Sequence, residues 1–200
     1  MVSAGSTAAQ EAILAWSAAL APHAPVRIGL LVNPNARTAR HGGLRQRLAA
    51  QLKEPNAWVE TRDLGSLRRG LAYLLCERVA NVLAICGGDG TVHHTVNALI
   101  GLVREIHGSD TLPAAMPRLL LLNGGTLNIV GRTCAIHGPP DATLSRFLRY
   151  FGGAPLSRVP ARRLGLLAVQ WQVAGAWTPV RHGFVFGSEV AYHAIGLYER

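Results

Sequence analysis

The chain has 200 residues, of which 49% are hydrophobic and only 16% are charged. This balance lets one large domain, or one domain and part of a second, bury a core, and it excludes an intrinsically disordered protein. The formal charge of +9 favours anionic partners, and either an arginine-rich composition or a surface weakly attracted to acidic membranes explains it. The sequence has no basic stripe with interleaved aromatic residues, so it does not predict a nucleic-acid binder.

Residues 1–24 are expected to form a helical extension. Residues 12–21 are apolar except for Ser17, but Glu11 precedes them and no basic residue does, so the positive region of a signal peptide is missing. No stretch approaches the roughly 18 apolar residues that a membrane span requires. The three cysteines, Cys76, Cys86 and Cys134, lack metal-ligand spacing and are interpreted as buried free thiols. These features favour a cytoplasmic protein that contacts a membrane only peripherally.

Four short apolar runs predict the strands of a sheet, at residues 26–32, 57–60, 82–86 and 119–122. Three of them are continuous rather than alternating, which is typical of parallel strands covered on both faces, and the run at 57–60 is weaker and expected near an edge. Leucine and valine stripes at helical spacing separate the runs. The alternation predicts a three-layer, Rossmann-like α/β domain with a mostly parallel sheet over residues 25–153.

The pattern changes after residue 153, where Gly-Gly-Ala-Pro forms a boundary signal. Two longer strands, Leu164 to Val173 and Val180 to Phe186, are predicted to be joined by a turn around Gly175. Residues 154–200 are therefore expected to begin a β-rich second domain that is incomplete in this sequence.

A polar or glycine-rich segment follows each of the four predicted strands. These segments are Asn33-Pro34-Asn35, Thr61-Arg62-Asp63, Gly87-Gly88-Asp89-Gly90-Thr91 and Asn123-Gly124-Gly125-Thr126-Leu127-Asn128. The carboxyl ends of parallel strands meet at one edge of the sheet, where ligands bind in open α/β folds. The sequence therefore predicts a single site that all four segments form.

The glycines in these segments indicate a phosphate site. Without a β-carbon they let backbone N–H groups approach a phosphate closely, and both glycine-rich turns are predicted to open helices, near Thr91 and Thr126. The negative charge of Asp89 would repel a bare phosphate, so its presence indicates chemistry with Mg²⁺ or with a proton.

The run from Val82 to Leu99 closely resembles the glycine-rich signature of the diacylglycerol kinase catalytic domain. Asn33-Pro34 and Gly125-Thr126-Leu127-Asn128 are similar to two further motifs of that family, in the same order and spacing, and the resemblance covers roughly residues 25–195. The family includes bacterial lipid kinases and sphingosine kinases and is related to NAD kinases.

The resemblance implies ATP and Mg²⁺ as cofactors, with Asp89 as the catalytic residue, acting as a general base or through bound Mg²⁺. The residues implied to bind the nucleotide are Asn33, Thr61, Gly87, Gly88, Asp89, Gly90, Thr91, His93, Gly125, Thr126 and Asn128. The metal ligands are not indicated. Arg37 is expected to contact phosphate or solvent, and His93 and His94 to face either the ligand or the protein.

Two departures from the family pattern change the charge near the site: Arg37 stands where the family usually has glycine, and His94 where it has glutamate. The resemblance implies an ATP-dependent lipid kinase that transfers the γ-phosphoryl group to the hydroxyl of a diacylglycerol-like or sphingoid lipid, in transient contact with a membrane surface. A kinase of NAD or another small molecule, and a catalytically silent nucleotide-binding domain, remain alternatives. Residues 154–200 would then belong to the acceptor side.

Overall fold

The computed structural model describes residues 11, 14–40, 42–108, 112–113 and 115–184. The chain divides into two compact units, Met1–Arg162 and Arg163–Arg200. The first unit contains a parallel sheet with helices, and the second contains short antiparallel strands.

The sheet of the first unit has four parallel strands in the order β2-β1-β3-β4. They are β1 (Ile28–Val32), β2 (Trp58–Glu60), β3 (Val82–Gly87) and β4 (Arg118–Asn123). All six residues of β3 are buried, which explains why its sequence is apolar without alternation. The predicted α/β class with a mostly parallel sheet is confirmed, and so is the position of β2 at an edge.

Helices cover both faces of this sheet. They are α1 (Gly42–Ala50), α2 (Leu64–Ala72), which continues as a π-helix at Tyr73–Glu77, α3 (Asp89–His107), α4 (Ile129–Thr133) and α5 (Pro140–Phe151). Leu48 of α1 and Leu144 of α5 are buried in one core cluster with Ala84 and Cys86 of β3. Because side chains alternate along a strand, Leu83 and Ile85 of β3 face the opposite side, where α2 packs against α3.

The first unit extends to Arg162, beyond the boundary expected at residue 153. The reason is apolar packing: Leu156 and Val159 are buried in a cluster with Val26 and Val82. At the other end, the predicted helical extension is described only in part, with helix at residues 14–19.

The second unit contains β5 (Leu167–Val169), β6 (Gln172–Val173), β7 (Ala176–Trp177) and β8 (Arg181–Gly183). The pairs β5·β8 and β6·β7 are antiparallel, so the single strand predicted over Leu164 to Val173 is wrong: it is two short strands. The predicted turn around Gly175 is confirmed, since Ala174 and Gly175 have φ of 50° and 82°, as a two-residue hairpin loop requires. Residues 185–186 of the other predicted strand lie outside the described residues.

All three cysteines are free, and Cys86 in β3 is fully buried. Burial raises the pKa of the Cys86 thiol to about 12 and also raises that of Cys76. In the part of the chain that the structure describes, no helix has both the length and the apolar character needed to cross a bilayer.

Candidate functional site

A cleft of about 480 Å³ opens at the carboxyl edge of the parallel sheet. Its lining includes predicted site residues from all four segments that follow the strands: Asn33, Thr61, Gly88, Gly90, Thr91, Gly125 and Thr126. The fold therefore brings these four segments together, as the sequence predicts. Gly87, Asp89, His93 and Asn128 do not line this cleft.

The first turn of α3 opens into the cleft. The helix begins at Asp89, two positions before the predicted Thr91, and no side chain in the described part of the chain caps its N-terminus at Gly88. Backbone N–H groups of a first helical turn have no partner within the helix and carry a partial positive charge. A β-carbon at Gly90 would meet no atom within 4 Å, so this glycine leaves space beside those N–H groups.

The second glycine-rich turn is closed by Asn128. Its Oδ1 accepts a hydrogen bond from the Gly125 N–H at 2.9 Å, and its Nδ2 donates to the Gly125 carbonyl at 2.9 Å. The helix after this turn, α4, begins at Ile129, so the prediction that it opens near Thr126 is wrong. The chain turns sharply before the helix because Asn128 has a left-handed φ of 50°. The amide group of Asn128 thus holds the turn together.

The two glycine-rich turns pack directly on each other. A β-carbon at Gly125 would lie 2.4 Å from the Gly88 Cα, and one at Gly124 would lie 2.8 Å from the Gly87 nitrogen. The Gly124 N–H also donates to the Gly87 carbonyl at 2.9 Å. Side chains at these positions would separate the backbones, so the glycines serve loop packing as well as any ligand.

Asp89 faces α4 rather than the cleft. One carboxylate oxygen accepts a hydrogen bond from the Ile129 N–H at 3.0 Å, and the other accepts from the Val130 N–H at 3.1 Å. The void beside Asp89 has a volume of only about 10 Å³, which is close to the minimum for one water molecule. The carboxylate therefore caps a helix that begins 40 residues later in the chain.

Asn33 and Thr61 line the cleft but also connect neighbouring segments. The Asn33 Nδ2 donates to the Thr91 Oγ1 at 2.9 Å, which ties the end of β1 to the first turn of α3. Its Oδ1 accepts from the Asn35 N–H at 2.9 Å. Thr61 is buried and donates from Oγ1 to the Val32 carbonyl at 3.4 Å. Both side chains fix the shape of the wall.

The charged residues of the cleft come from three elements. Arg37 follows β1, Arg62 and Asp63 follow β2, and His94 lies on α3. The Ser66 N–H donates to the Asp63 carboxylate at 2.6 Å, and this bond, together with the nearby Ser66 hydroxyl, holds the pKa of Asp63 below the ordinary value. Among the described residues, no group of three His, Cys, Asp or Glu side chains is placed to hold a metal ion. With two arginines and one aspartate, the lining carries a small excess of positive charge, and Arg62 is also ion-paired with Glu60 at 3.4 Å.

His94, rather than the predicted His93, lies in the cleft lining. Residues four apart share one face of a helix, and His94 is four residues after Gly90. The sequence carried this signal, but it could be used only once the helix was known to begin at Asp89. His93 contacts the His94 ring, with 5.4 Å between ring centroids.

A model of the diacylglycerol kinase catalytic domain matches residues 27–150, which comprise the parallel sheet and its helices almost to the end of α5. The chain belongs to the diacylglycerol kinase catalytic domain family. The run from Val82 to Leu99, which resembles that family's glycine-rich signature, spans β3, the turn after it and the first part of α3.

Two solved structures from Bacillus anthracis str. Sterne are similar to this chain. A proposed diacylglycerol kinase is 22% identical with a TM-score of 0.46, over 62% of this chain and 41% of that chain. A second structure, of a diacylglycerol kinase, is 21% identical with a TM-score of 0.43, over 62% of this chain and 42% of that chain. The chain spans about two fifths of the length of these structures. A comparison with curated proteins found no match.

Proposed function

We propose that this chain is the nucleotide-binding part of an ATP-dependent lipid kinase. The observation that carries the proposal is the uncapped N-terminus of α3, which opens into the cleft at a glycine with free space beside it. The family match supports a kinase. The γ-phosphoryl group of ATP would pass to the hydroxyl of a diacylglycerol-like or sphingoid lipid, with transient contact at a membrane surface.

Phosphate binding follows from the charges of the cleft. Three first-turn N–H groups, of Asp89, Gly90 and Thr91, have no acceptor four residues earlier within α3, and a helix N-terminus attracts anions. Arg37 and Arg62 add two cationic side chains to the same lining. The cleft volume lies within the range of roughly 300–1,000 Å³ that small-molecule sites occupy. A triphosphate at α3 would therefore meet donors and compensating charge together.

The rest of the nucleotide would extend along the wall formed by the start of α2. Leu64 and Leu67 line the cleft there beside Thr61. Apolar side chains with a few polar groups are the usual lining of a small-molecule site. We expect the base to contact this wall while the phosphates stay at α3.

The described residues do not form a metal cage, because Asp89 and Asp63 accept hydrogen bonds from backbone amides and no cluster of three ligands exists among them. Mg²⁺ keeps several waters and is often bound through one or two carboxylates and substrate phosphates. It would neutralise phosphate charge when bound with ATP. The contribution of this chain would be to position and neutralise the phosphates, which is most of what phosphoryl transfer demands of a protein.

Calorimetric titration with ATP and AMP in the presence of Mg²⁺ tests the binding part of the proposal. If α3 holds the β- and γ-phosphates, ATP should bind clearly more tightly than AMP. Equal affinities for the two nucleotides, or no binding of either, would contradict a phosphate site at α3.

Transfer of radiolabel from γ-labelled ATP tests the reaction. Label should enter diacylglycerol or sphingosine presented in mixed micelles and be recovered in the organic extract. Label appearing in NAD instead would support a small-molecule kinase. Binding of ATP with no transfer to any of these acceptors would support a nucleotide-binding domain without catalysis.

A further inference from the structure

We infer that Asp89 is a positioning residue whose carboxylate clamps the N-terminus of α4 to the first turn of α3. Because the clamp occupies the first amides of α4, only the N-terminus of α3, of these two helices, is open to an anion. The role in phosphate binding rests on the function proposed above, whereas the clamp itself rests only on the geometry of the fold.

The geometry of the clamp uses both carboxylate oxygens. They accept from two consecutive backbone N–H groups, Ile129 at 3.0 Å and Val130 at 3.1 Å. Hydrogen bonds from amides to a carboxylate at a helix N-terminus are charge-assisted and are strengthened by the helix dipole. Asp89 itself is the first residue of α3, so one short side chain joins the starts of two helices.

The clamp is one of several links between the two glycine-rich turns. The Gly124 N–H donates to the Gly87 carbonyl, and Gly88 and Gly125 are too close to admit a β-carbon. These backbone contacts set the spacing of the turns, and the Asn123 Nδ2, which donates to the Ile136 carbonyl at 2.8 Å, holds the segment after α4. The Asp89 carboxylate adds a link at the start of α4, because it accepts hydrogen bonds from the first two amides of that helix.

The clamp also determines where an anion can bind. Because the Asp89 carboxylate already occupies the Ile129 and Val130 amides, a phosphate would have to displace a fixed negative charge to bind at α4. The α3 amides have no side-chain cap among the described residues, although Asp89 itself places its charge in the same first turn. Without the clamp, the turn containing Gly125 and Thr126 would keep its backbone contact with Gly87 but lose the link between α3 and the helix that follows it.

The test compares the wild-type chain with Asp89→Asn and Asp89→Ala, and with Asp141→Asn as a matched control at the start of α5. NMR measures the exchange rates of the Ile129 and Val130 amide protons. Loss of a helix cap should speed their exchange about five- to tenfold in Asp89→Ala. Asparagine retains one acceptor oxygen, so Asp89→Asn should fall between wild type and Ala, while Asp141→Asn should leave both protons unchanged.

Titration with ATP and AMP provides a readout that general destabilisation would not move. Loss of the clamp should weaken ATP binding in the order Asp, Asn, Ala and leave AMP binding unchanged. If Asp89→Asn binds ATP as wild type does, keeps both amides protected and loses phosphoryl transfer, then Asp89 is a catalytic base and the inference is overturned. If Asp89→Ala does not fold, the Asn variant gives the same two measurements.

The two proposals fail in different ways. A wild-type chain that binds no ATP contradicts the proposed function, yet the exchange rates of Ile129 and Val130 still decide whether the clamp exists. Conversely, unchanged exchange in both Asp89 variants contradicts the clamp even when ATP binds tightly.

Discussion

The helices α3 and α4 begin alike in sequence and differ in what their first turns can do. Both follow a strand of the parallel sheet and a glycine-rich turn at the same edge of the sheet. The α3 N-terminus has no side-chain cap within the described chain and opens into the cleft, whereas the α4 amides are occupied by Asp89. A glycine-rich turn before a helix is therefore insufficient to define an anion site. The first-turn amides must also be free of hydrogen bonds to side chains.

The glycines of the two turns also differ in purpose. Gly90 has open space where a β-carbon would stand, while Gly125 has the backbone of Gly88 there. One position is thus suited to contact with a ligand, and the other to contact between loops. Substitution at each position should separate effects on binding from effects on stability.

The largest effect on stability is expected at Gly125. In Gly125→Ala the new methyl group would lie 2.4 Å from the Gly88 Cα, and backbone cannot yield as a side-chain end can. We expect a loss of about 1–3 kcal/mol in the free energy of unfolding, measured with urea. The control is Gly101→Ala in the interior of α3, where the added β-carbon would meet no atom outside its own helix backbone within 4 Å. There we expect a gain of up to about 1 kcal/mol in the free energy of unfolding. Unchanged stability of Gly125→Ala would mean that the turns are not packed on each other.

Gly90→Ala should affect binding and leave stability nearly intact. Its methyl group meets no protein atom within 4 Å and would enter the space beside the first-turn amides. We expect a loss of about tenfold in ATP affinity by calorimetry, which corresponds to only ~1.4 kcal/mol. Gly101→Ala, on the same helix and equally unobstructed, should bind ATP as wild type does. Undiminished ATP binding by Gly90→Ala would remove α3 from the proposed phosphate site.

The smallest effect concerns α2, which is capped from within its own sequence by Asp63. The pKa of Asp63 in the folded chain is lowered from 3.8 by the Ser66 N–H and hydroxyl, so its stabilising contribution is complete above 3.8 and is lost as the pH falls through the lowered value. Wild type should be slightly more stable than Asp63→Ala at neutral pH, and the difference should disappear under acidic conditions. A difference that persists in acid would indicate a role for Asp63 other than as an ionised cap.

Local sequence was sufficient for the sheet and for the place of the cleft. The continuous apolar runs identified β1, β3 and β4, and the polar segments after them form the lining, because both features follow from neighbouring residues. The start of α3 at Asp89 rather than near Thr91 places Gly90 within the helix, where His94 rather than His93 shares its face.

The partners of Asp89 and Gly125 could not be predicted in the same way. Asp89 meets the Ile129 amide 40 residues later, and Gly125 meets Gly88 across two loops. Such contacts depend on how adjacent parallel strands align, since Gly87 of β3 pairs in register with Asn123 of β4. No periodicity within either segment encodes that alignment.

The reactivity of the buried Cys86 thiol can report on whether the inner strand β3 stays in the folded sheet. Cys86 lies in β3 directly before Gly87, and burial raises the pKa of its thiol to about 12. While the sheet is folded, the sulfur is therefore neither accessible to a reagent nor present as the reactive thiolate. In a chain whose two other cysteines are replaced by serine, the rate of Cys86 labelling would therefore follow opening of the sheet. Any molecule that binds the cleft of the folded sheet, but not the opened sheet, should slow that labelling in proportion to its occupancy.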